Sequence, residues 1–431
     1  MEITTVRIGL LGMGTVGGAL VPLLAEQHDD IASLTGLDLR ITRAAVRDIS
    51  KDRSVDLGGI AITEVADEVI DAHDVDLVVE LVGGVDVARQ WVGRALTAGK
   101  SVVTGNKALL AAHGRELFDL ARANGAELLF EASVAGAIPL MRALQKSLRG
   151  EPIDRVTGIV NGTTNYMLSK MTEEGADYAE ALSEAQALGY AEADPSADVE
   201  GHDAQAKAAI IATVAFGAAL TSTDVRVEGI SDVSGADIAN ADRLGYVIKL
   251  LALVERVGEH APYEVAARVH PTMVPKQHPL ATVRGSFNAV FIEGGAVGEL
   301  MLYGRGAGGR PTASAVLGDV IEAAAGIAHG SVRALPQLGA ALVRDPDATT
   351  SAFYLNVAVD DQPGVLAEVA GVFGANGVSI KSMEQGGSGS GATLAFITHE
   401  ASEADMAATL DKLGSLDCVA RVGAHYRVIG S

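Results

Sequence analysis

Over the first third of the chain, apolar residues fall into short runs separated by turns and helical patterns. VRIGLL (6–11) leads into a Gly-rich turn and a helical pattern through Glu26. ITRAAV (41–46), DLVVEL (76–81), SVVT (101–104) and AELLF (126–130) follow. Such runs predict buried strands, and their alternation with helices predicts a parallel sheet covered on both faces. From about Asp154 the pattern changes. RVTGIV begins a strand, and long helical patterns cover 178–188, 204–219 and 236–254. YEVAARV, AVFIEG and GELMLYG read as further strands, before GRGAGGRPTASAVLGDVIEAA returns to a Gly-rich turn and a helix. This predicts a second α/β or α+β domain.

Residues 331–351, with two prolines and the run DPDATTS, read as a linker. Beyond it the order is regular: strand FYLNVAVD, helix PGVLAEVAGVFGANG, strand VSIKSMEQ, turn GGSGSG, strand ATLAFITH, helix SEADMAATLDKLG, strand CVARVGAHYRVIG. The order βαββαβ is that of a ferredoxin-like module. The expected division is 1–150 for a nucleotide-binding Rossmann-like domain and 151–330 for a substrate-binding and catalytic domain. The linker 331–351 and a C-terminal module over 352–431 complete it.

Composition narrows the class. A chain of 431 residues is long enough for two to three domains. Aromatics are only 4% while glycines number 50, so the core is aliphatic and alanine-packed, as suits α/β layers. The net charge of −22 repels phosphate backbones and anionic lipid, which argues against nucleic acid and membranes as partners. The single Cys418 cannot form an intrachain disulfide and fits a reducing cytoplasm. IGLLGMGTVGGALVPLLA has the apolarity of a signal-peptide core, but its glycines keep nucleotide-loop spacing and only Arg7 precedes it as positive charge. The apolar run after Lys207 is shorter than the ~18 residues of a membrane span. A soluble protein is expected.

Gly12-Met13-Gly14-Thr15-Val16-Gly17 follows the first strand, after Leu11, and opens a helix, as in a GxGxxG dinucleotide loop. Gly12 permits the tight turn, Gly14 lets backbone approach a pyrophosphate, and Gly17 lets helix and sheet close up. The helix start at Thr15 and Val16 then faces the phosphates. After the second strand, an acid would hold a ribose 2′-OH and an arginine a 2′-phosphate. VRD places Arg47 first and Asp48 next, which favours NADP and leaves NAD open.

Two lysines stand out. Asn106 and Lys107 lie just beyond a sheet strand, at the edge where ligands of open α/β sheets lie. ALGYAEADPSADVEGHDAQAK concentrates Glu192, Asp194, Asp198, Glu200 and Asp203 ahead of Lys207. Asp203 and Lys207 are four residues apart on an apolar helix, hence on one face, where unpaired charge is costly. A solvated acidic loop would explain the carboxylates; a catalytic site would explain the lysine too. The ten histidines show no ligand spacing and there is one cysteine, so a Cys/His metal site is not expected.

Gly189-Tyr190-Ala191-Glu192, Asp194-Pro195, Asp198, Gly201, Asp203 and Lys207 resemble the signature of homoserine dehydrogenases. TGNKALLA, EASVAGAIP, NGTTNYML and GRGAGGRPTASAVLGDV are similar to further segments of that family, and VDDQPGVLAEVAGVF resembles the start of an ACT domain. The resemblance spans essentially the whole chain and implies a form without an aspartate kinase fused ahead of it. It implies reversible NAD(P)H-dependent reduction of L-aspartate 4-semialdehyde to L-homoserine. It also implies Lys207 as proton donor, Lys107 as a second ammonium near cofactor and substrate, and Asp203 and Glu192 as substrate carboxylates, with Gly189 and Asp198 in the same pocket. The backbone oxygens of Glu131, Val134, Gly136 and Ile138 resemble a Na+ or K+ site, which no side-chain pattern betrays. Gly308 resembles a residue that returns to the cofactor. The turn at Asp361, Gly364, Val365 and Leu366 is the expected site of an effector, L-threonine, between the subunits of a homodimer or homotetramer. A 3-phosphoglycerate dehydrogenase also joins a Rossmann domain to an ACT domain, but its His–Glu and arginine motifs are absent. An amino-acid-sensing regulator with an inactive dehydrogenase fold would have lost Lys107 or Lys207, and both are present.

Overall fold

The computed structural model describes residues 3–51, 53, 55–258, 263–332, 336–386 and 391–430. They form two compact units, Met1–Val160 with Gln205–Val225 and Phe287–Ala341, and Asn161–Ala204 with Arg226–Ser286 and Leu342–Ser431.

The first unit is built on a six-stranded sheet. Its strands are β1 (Thr4–Leu11), β2 (Leu37–Ala45), β3 (Ala61–Thr63), β4 (Leu77–Glu80), β5 (Ser101–Thr104) and β6 (Leu128–Leu129), in the order β3-β2-β1-β4-β5-β6. All pairs are parallel. Every residue of β4 and β5 is buried. Strands covered on both faces read as continuous apolar runs, which made these two legible before folding was considered. The edge strand β3 was not anticipated, because its three residues are exposed or half-buried. At the other edge, β6 is shorter than the run AELLF suggested.

The helix Gly309–His329 returns from late in the chain to pack on the helix Thr15–Thr35. Leu20, Leu24, Ala313, Val316, Val320 and Ala324 meet there in one core. Their small residues bring the two helices close. A Cβ on Gly309 would stand 3.0 Å from the Thr15 carbonyl. Three antiparallel strands, Ile153–Ile159, Phe287–Gly294 and Gly298–Arg305, complete this unit's main features.

In the second unit, helices Gly162–Glu174 and Tyr178–Ala187 accompany an antiparallel pair, Tyr246–Val257 and Glu264–Pro275. The helix expected over 236–254 is corrected. It runs only Gly235–Arg243, and Tyr246–Val257 is a strand. Gly245, at φ 86°, ends the helix in the left-handed region. The following YVIKLLALV is apolar on both faces apart from Lys249, so its periodicity could not separate strand from helix.

The C-terminal module has the expected βαββαβ order: Thr350–Asp360, Val365–Ala375, Ile380–Gly386, Gly391–Thr398, Glu403–Gly414 and Val419–Val428. Its antiparallel strands lie in the order 419–428, 350–360, 391–398, 380–386. Phe353, Leu355, Val369, Phe373, Phe396 and Leu413 share its core. Its last strand pairs in parallel with Glu264–Pro275 through Thr272–Arg427 and Met273–Val428. Within the stretch read as a linker, Leu342–Val343 also pairs with Glu264–Pro275. The central residues of the expected GGSGSG turn, 387–390, lie outside the described residues.

One buried polar cluster in the first unit fixes the 131–142 segment. The Asp319 carboxylate accepts from the Glu131 N–H at 2.7 Å and from Arg142 at 2.8 Å. The Glu131 carboxylate accepts from the N–H groups of Met141 and Arg142, at 2.8 Å each. Burial pushes the Asp319 carboxyl up to about 7 and raises that of Glu131. The protonated form of Asp319 therefore stabilises the fold. That contribution is complete below the unfolded value of about 4 and is lost as pH rises through about 7. The Tm advantage of wild type over Asp319→Asn should thus be larger at pH 5 than at pH 8. An advantage that grows with pH would mean that the ion pair with Arg142 outweighs desolvation.

Candidate active site

At the end of β1 the three glycines have different surroundings. Gly12 has φ 96°, and a Cβ there would stand 2.8 Å from the Leu81 carbonyl. On Gly17 it would stand 2.1 Å from the Gly12 carbonyl. These two are demanded by the chain itself. Gly14 is not: a Cβ there would meet nothing within 4 Å. No side chain caps the helix that starts at Thr15, so its first N–H groups are left for a ligand. An open glycine before an uncapped helix fits a pyrophosphate. Gly308, at φ 120°, precedes Gly309 and so lies beside Thr15 of this loop. After β2, Arg47 is exposed. Asp48 is engaged by the Ser50 N–H at 2.8 Å and its hydroxyl at 2.6 Å, which lower its pKa.

Lys107 is the first residue of the helix Lys107–Ala123. Asn106 caps that helix, accepting from the Leu109 N–H at 3.0 Å while donating to the Gly84 carbonyl at 2.7 Å. Behind it, the Thr104 hydroxyl accepts from the Asn106 N–H at 3.0 Å and donates to the fully buried Glu80 at 2.6 Å. This chain of bonds fixes where Lys107 begins its helix.

Lys207 lies on the helix His202–Phe216, one turn beyond Asp203. It is only 9% exposed, and its Nζ donates to the Val160 carbonyl at 2.7 Å. The next residue, Asn161, caps the helix Gly162–Glu174 by accepting from the Thr164 N–H at 2.9 Å. Its Nδ2 donates to Asp198 at 2.6 Å and to Asp203 at 3.0 Å. One amide thus brings two carboxylates together, and Asp203 is buried. The Thr163 hydroxyl donates to the Tyr190 carbonyl at 2.8 Å, tying the same helix start to the turn of Gly189 and Glu192. Gly189 has φ 75° with open space where a Cβ would be, and the Glu192 side chain is exposed. Asn161 was missed as a site residue. An asparagine just before a helical pattern that ends an apolar strand was the available signal.

The chain matches the family model of homoserine dehydrogenase over residues 139–321, that of its NAD-binding domain over 12–131, and that of the ACT domain over 353–418. A homoserine dehydrogenase of Corynebacterium glutamicum is 48% identical over 99% of this chain and 96% of its own. One from Bacillus subtilis is 40% identical over 99% of each. The crystal structure of a homoserine dehydrogenase from Thiobacillus denitrificans superposes with a TM-score of 0.93, at 38% identity and 99% coverage of both chains.

The chain belongs to the homoserine dehydrogenase family.

It is an NAD(P)-dependent oxidoreductase that interconverts L-aspartate 4-semialdehyde and L-homoserine. Its C-terminal module is an ACT domain. A hyperthermophilic archaeal homoserine dehydrogenase solved in complex with NADPH is 31% identical, with a TM-score of 0.62 over 74% of this chain and 98% of its own. No helix among the described residues is long and apolar enough to cross a membrane.

Asn161 provides the first test at this site. Removing its amide leaves a buried carboxylate short of a donor, at a cost of ~1–3 kcal/mol. Asn161→Ala should therefore lower Tm and raise KM for homoserine more than it lowers kcat. An unchanged KM would separate Asn161 from substrate binding.

Proposed function

We propose that Lys207 is the proton donor and acceptor at the substrate oxygen, with Lys107 a second ammonium beside cofactor and substrate. The observation that carries this is a lysine 9% exposed on an apolar helix, with its Nζ held by a main-chain carbonyl. Bound nicotinamide supplies or takes the hydride. Reduction of the aldehyde puts negative charge on its oxygen, which an ammonium stabilises and then protonates. Asp203, Asp198 and Glu192 hold the substrate's amino end, and Gly189 leaves room for substrate and cofactor. The open surface over Gly14, with Leu11, Gly12, Thr15, Val16, Gly17 and Gly308 around it, takes the dinucleotide.

The test follows homoserine oxidation at the nicotinamide absorbance. Lys207→Ala should lose ~10²-fold or more in kcat while remaining folded, as for loss of a general acid. Near-wild-type turnover would reject the assignment.

NADP is the preferred cofactor. Asp48 is committed to Ser50, while Arg47 is exposed at the position that meets a 2′-phosphate. The relative solved with NADPH supports the same reading. Arg47→Ala should lower kcat/KM for NADP and leave that for NAD close to wild type. An unmoved ratio would assign the choice to another residue.

The carbonyls of Glu131, Val134, Gly136 and Ile138 hold a Na+ or K+ ion. Two consecutive left-handed residues support this, Ala135 at φ 58° and Gly136 at 57°, since such strain gathers at functional loops. The division 1–150, 151–330, 331–351 and 352–431 remains the functional one. The enzyme works in the cytoplasm, on the route to threonine, methionine and isoleucine, as a homodimer or homotetramer. L-Threonine inhibits it through the ACT module. The turn at Asp361 and Gly364 is exposed, Gly364 has φ 95°, and no side chain caps the helix that begins at Val365 with Leu366. Its N–H groups suit an amino-acid carboxylate.

A further inference from the structure

Asn288 is the second residue of the strand Phe287–Gly294, and the run that follows it, Ala289 to Ile292, is apolar and buried. The asparagine itself is 1% exposed. Among the described residues, neither its Oδ1 nor its Nδ2 has a hydrogen-bond partner. Leaving both ends of a buried amide unbonded is costly, and native chains seldom do so. Asn106, Asn161 and Asn165 are also buried, and each uses both ends of its amide. An alanine or valine at 288 would continue the apolar run without that cost. The polar side chain therefore points to a guest that the chain does not supply.

Asn288 stands opposite Gly304 in the antiparallel pair with Gly298–Arg305, so both point to one face of the sheet. Gly306 lies on the same side, and a Cβ there would collide with the Asn288 amide. Over this face runs the segment 136–138. A Cβ on Gly304 would stand 3.2 Å from Ile138 Cγ1, and one on Gly136 would collide with the Gly306 carbonyl. The Ala137 N–H donates to the Arg305 carbonyl at 3.0 Å. Asn288 thus faces the loop whose carbonyls are assigned to Na+ or K+, and which Asp319 steadies through Glu131. Its amide atoms are sealed from solvent. That admits an ion or a water and excludes a nucleotide or an organic anion.

We propose that Asn288 completes this cation site, with Oδ1 on the ion and Nδ2 donating to a water that the ion carries. The proposal rests on the cation reading given above and adds a side chain to it. An amide oxygen is the same hard, neutral donor as a main-chain carbonyl, and the two serve together around oxygen-seeking cations. A water alone could answer the amide, donating to Oδ1 and accepting from Nδ2. With two hydrogens it could not also serve the carbonyls of Glu131, Val134, Gly136 and Ile138; a cation meets all of them. Asn288 lies on the hairpin whose second strand runs on into Gly306 and Gly308. Through it the ion fixes the start of the loop that returns to the cofactor. Asn288 is a positioning residue and touches neither substrate nor nicotinamide.

The experiment is thermal unfolding of the full-length protein, with NaCl or KCl exchanged for tetramethylammonium chloride at constant ionic strength. Tetramethylammonium is too large for a sealed site and holds the chloride constant. Wild type is compared with Asn288→Leu, which keeps the shape and removes both polar atoms. Asn288→Asp keeps the oxygen and adds charge. Wild-type Tm should rise with Na+ or K+. The concentration at half-rise should increase tenfold or more in Asn288→Leu, while its Tm in tetramethylammonium alone stays at or above that of wild type. In Asn288→Asp the rise should exceed that of wild type, because the ion then offsets a buried charge. An unchanged half-rise concentration in Asn288→Leu overturns the proposal and leaves the carbonyl site standing. So does a Tm lowered equally at every cation concentration, the result for a residue that holds only a water. A wild-type Tm indifferent to both ions overturns the cation reading and this proposal with it. Should Asn288→Leu fail to fold, Asn288→Asp decides, and a rise no larger than that of wild type overturns the role of Asn288.

Discussion

The constraint behind this enzyme is the placing of charge where little water can reach it. Lys207 and Asp203 are each less than a tenth exposed, and a buried ion without partners costs several kcal/mol. The chain answers with two successive residues. Val160 offers a carbonyl to the ammonium, and Asn161 offers one amide to two carboxylates. The same asparagine caps a helix with its other atom. Its side chain is therefore held at both ends, which gives the carboxylates a fixed address.

Similar economy appears elsewhere. Asn106 caps the helix of Lys107 and is itself steadied through Thr104 by a buried glutamate. Asp319 and Arg142 steady the loop whose carbonyls are assigned to a cation. In each case a group proposed to meet a ligand is backed by one that is not. Preorganised polar groups of this kind need not reorganise when charge develops on the substrate. The ACT domain is bound into this scheme by Arg427, whose two carboxylate partners come from Glu228 and Glu403. Breaking such a buried set by removing one member is far more damaging than never having built it.

Much of the architecture was legible because its signals are local. Both-face burial made β1, β4 and β5 into apolar runs, and the βαββαβ order of the ACT domain followed from its turns. Where burial fails to mark an element, reading failed. β3 is exposed or half-buried and passed unseen. Tyr246–Val257 is buried on both faces from Ile248 to Val254 and apolar there except for Lys249, and a period of two cannot be told from 3.6 when almost nothing alternates.

Sequence by itself determined the dinucleotide loop, the two lysines and the acidic segment before Lys207, because each is a pattern of neighbours along the chain. It could not assign Asn161, whose role joins residues 37 and 42 positions away. Nor could it distinguish the glycines of the loop: only packing reveals that Gly12 and Gly17 serve the chain while Gly14 faces open space. Local spacing records what a helix or turn requires. Which polar groups remain unsatisfied is decided by long-range contacts, and these exist only in the folded chain.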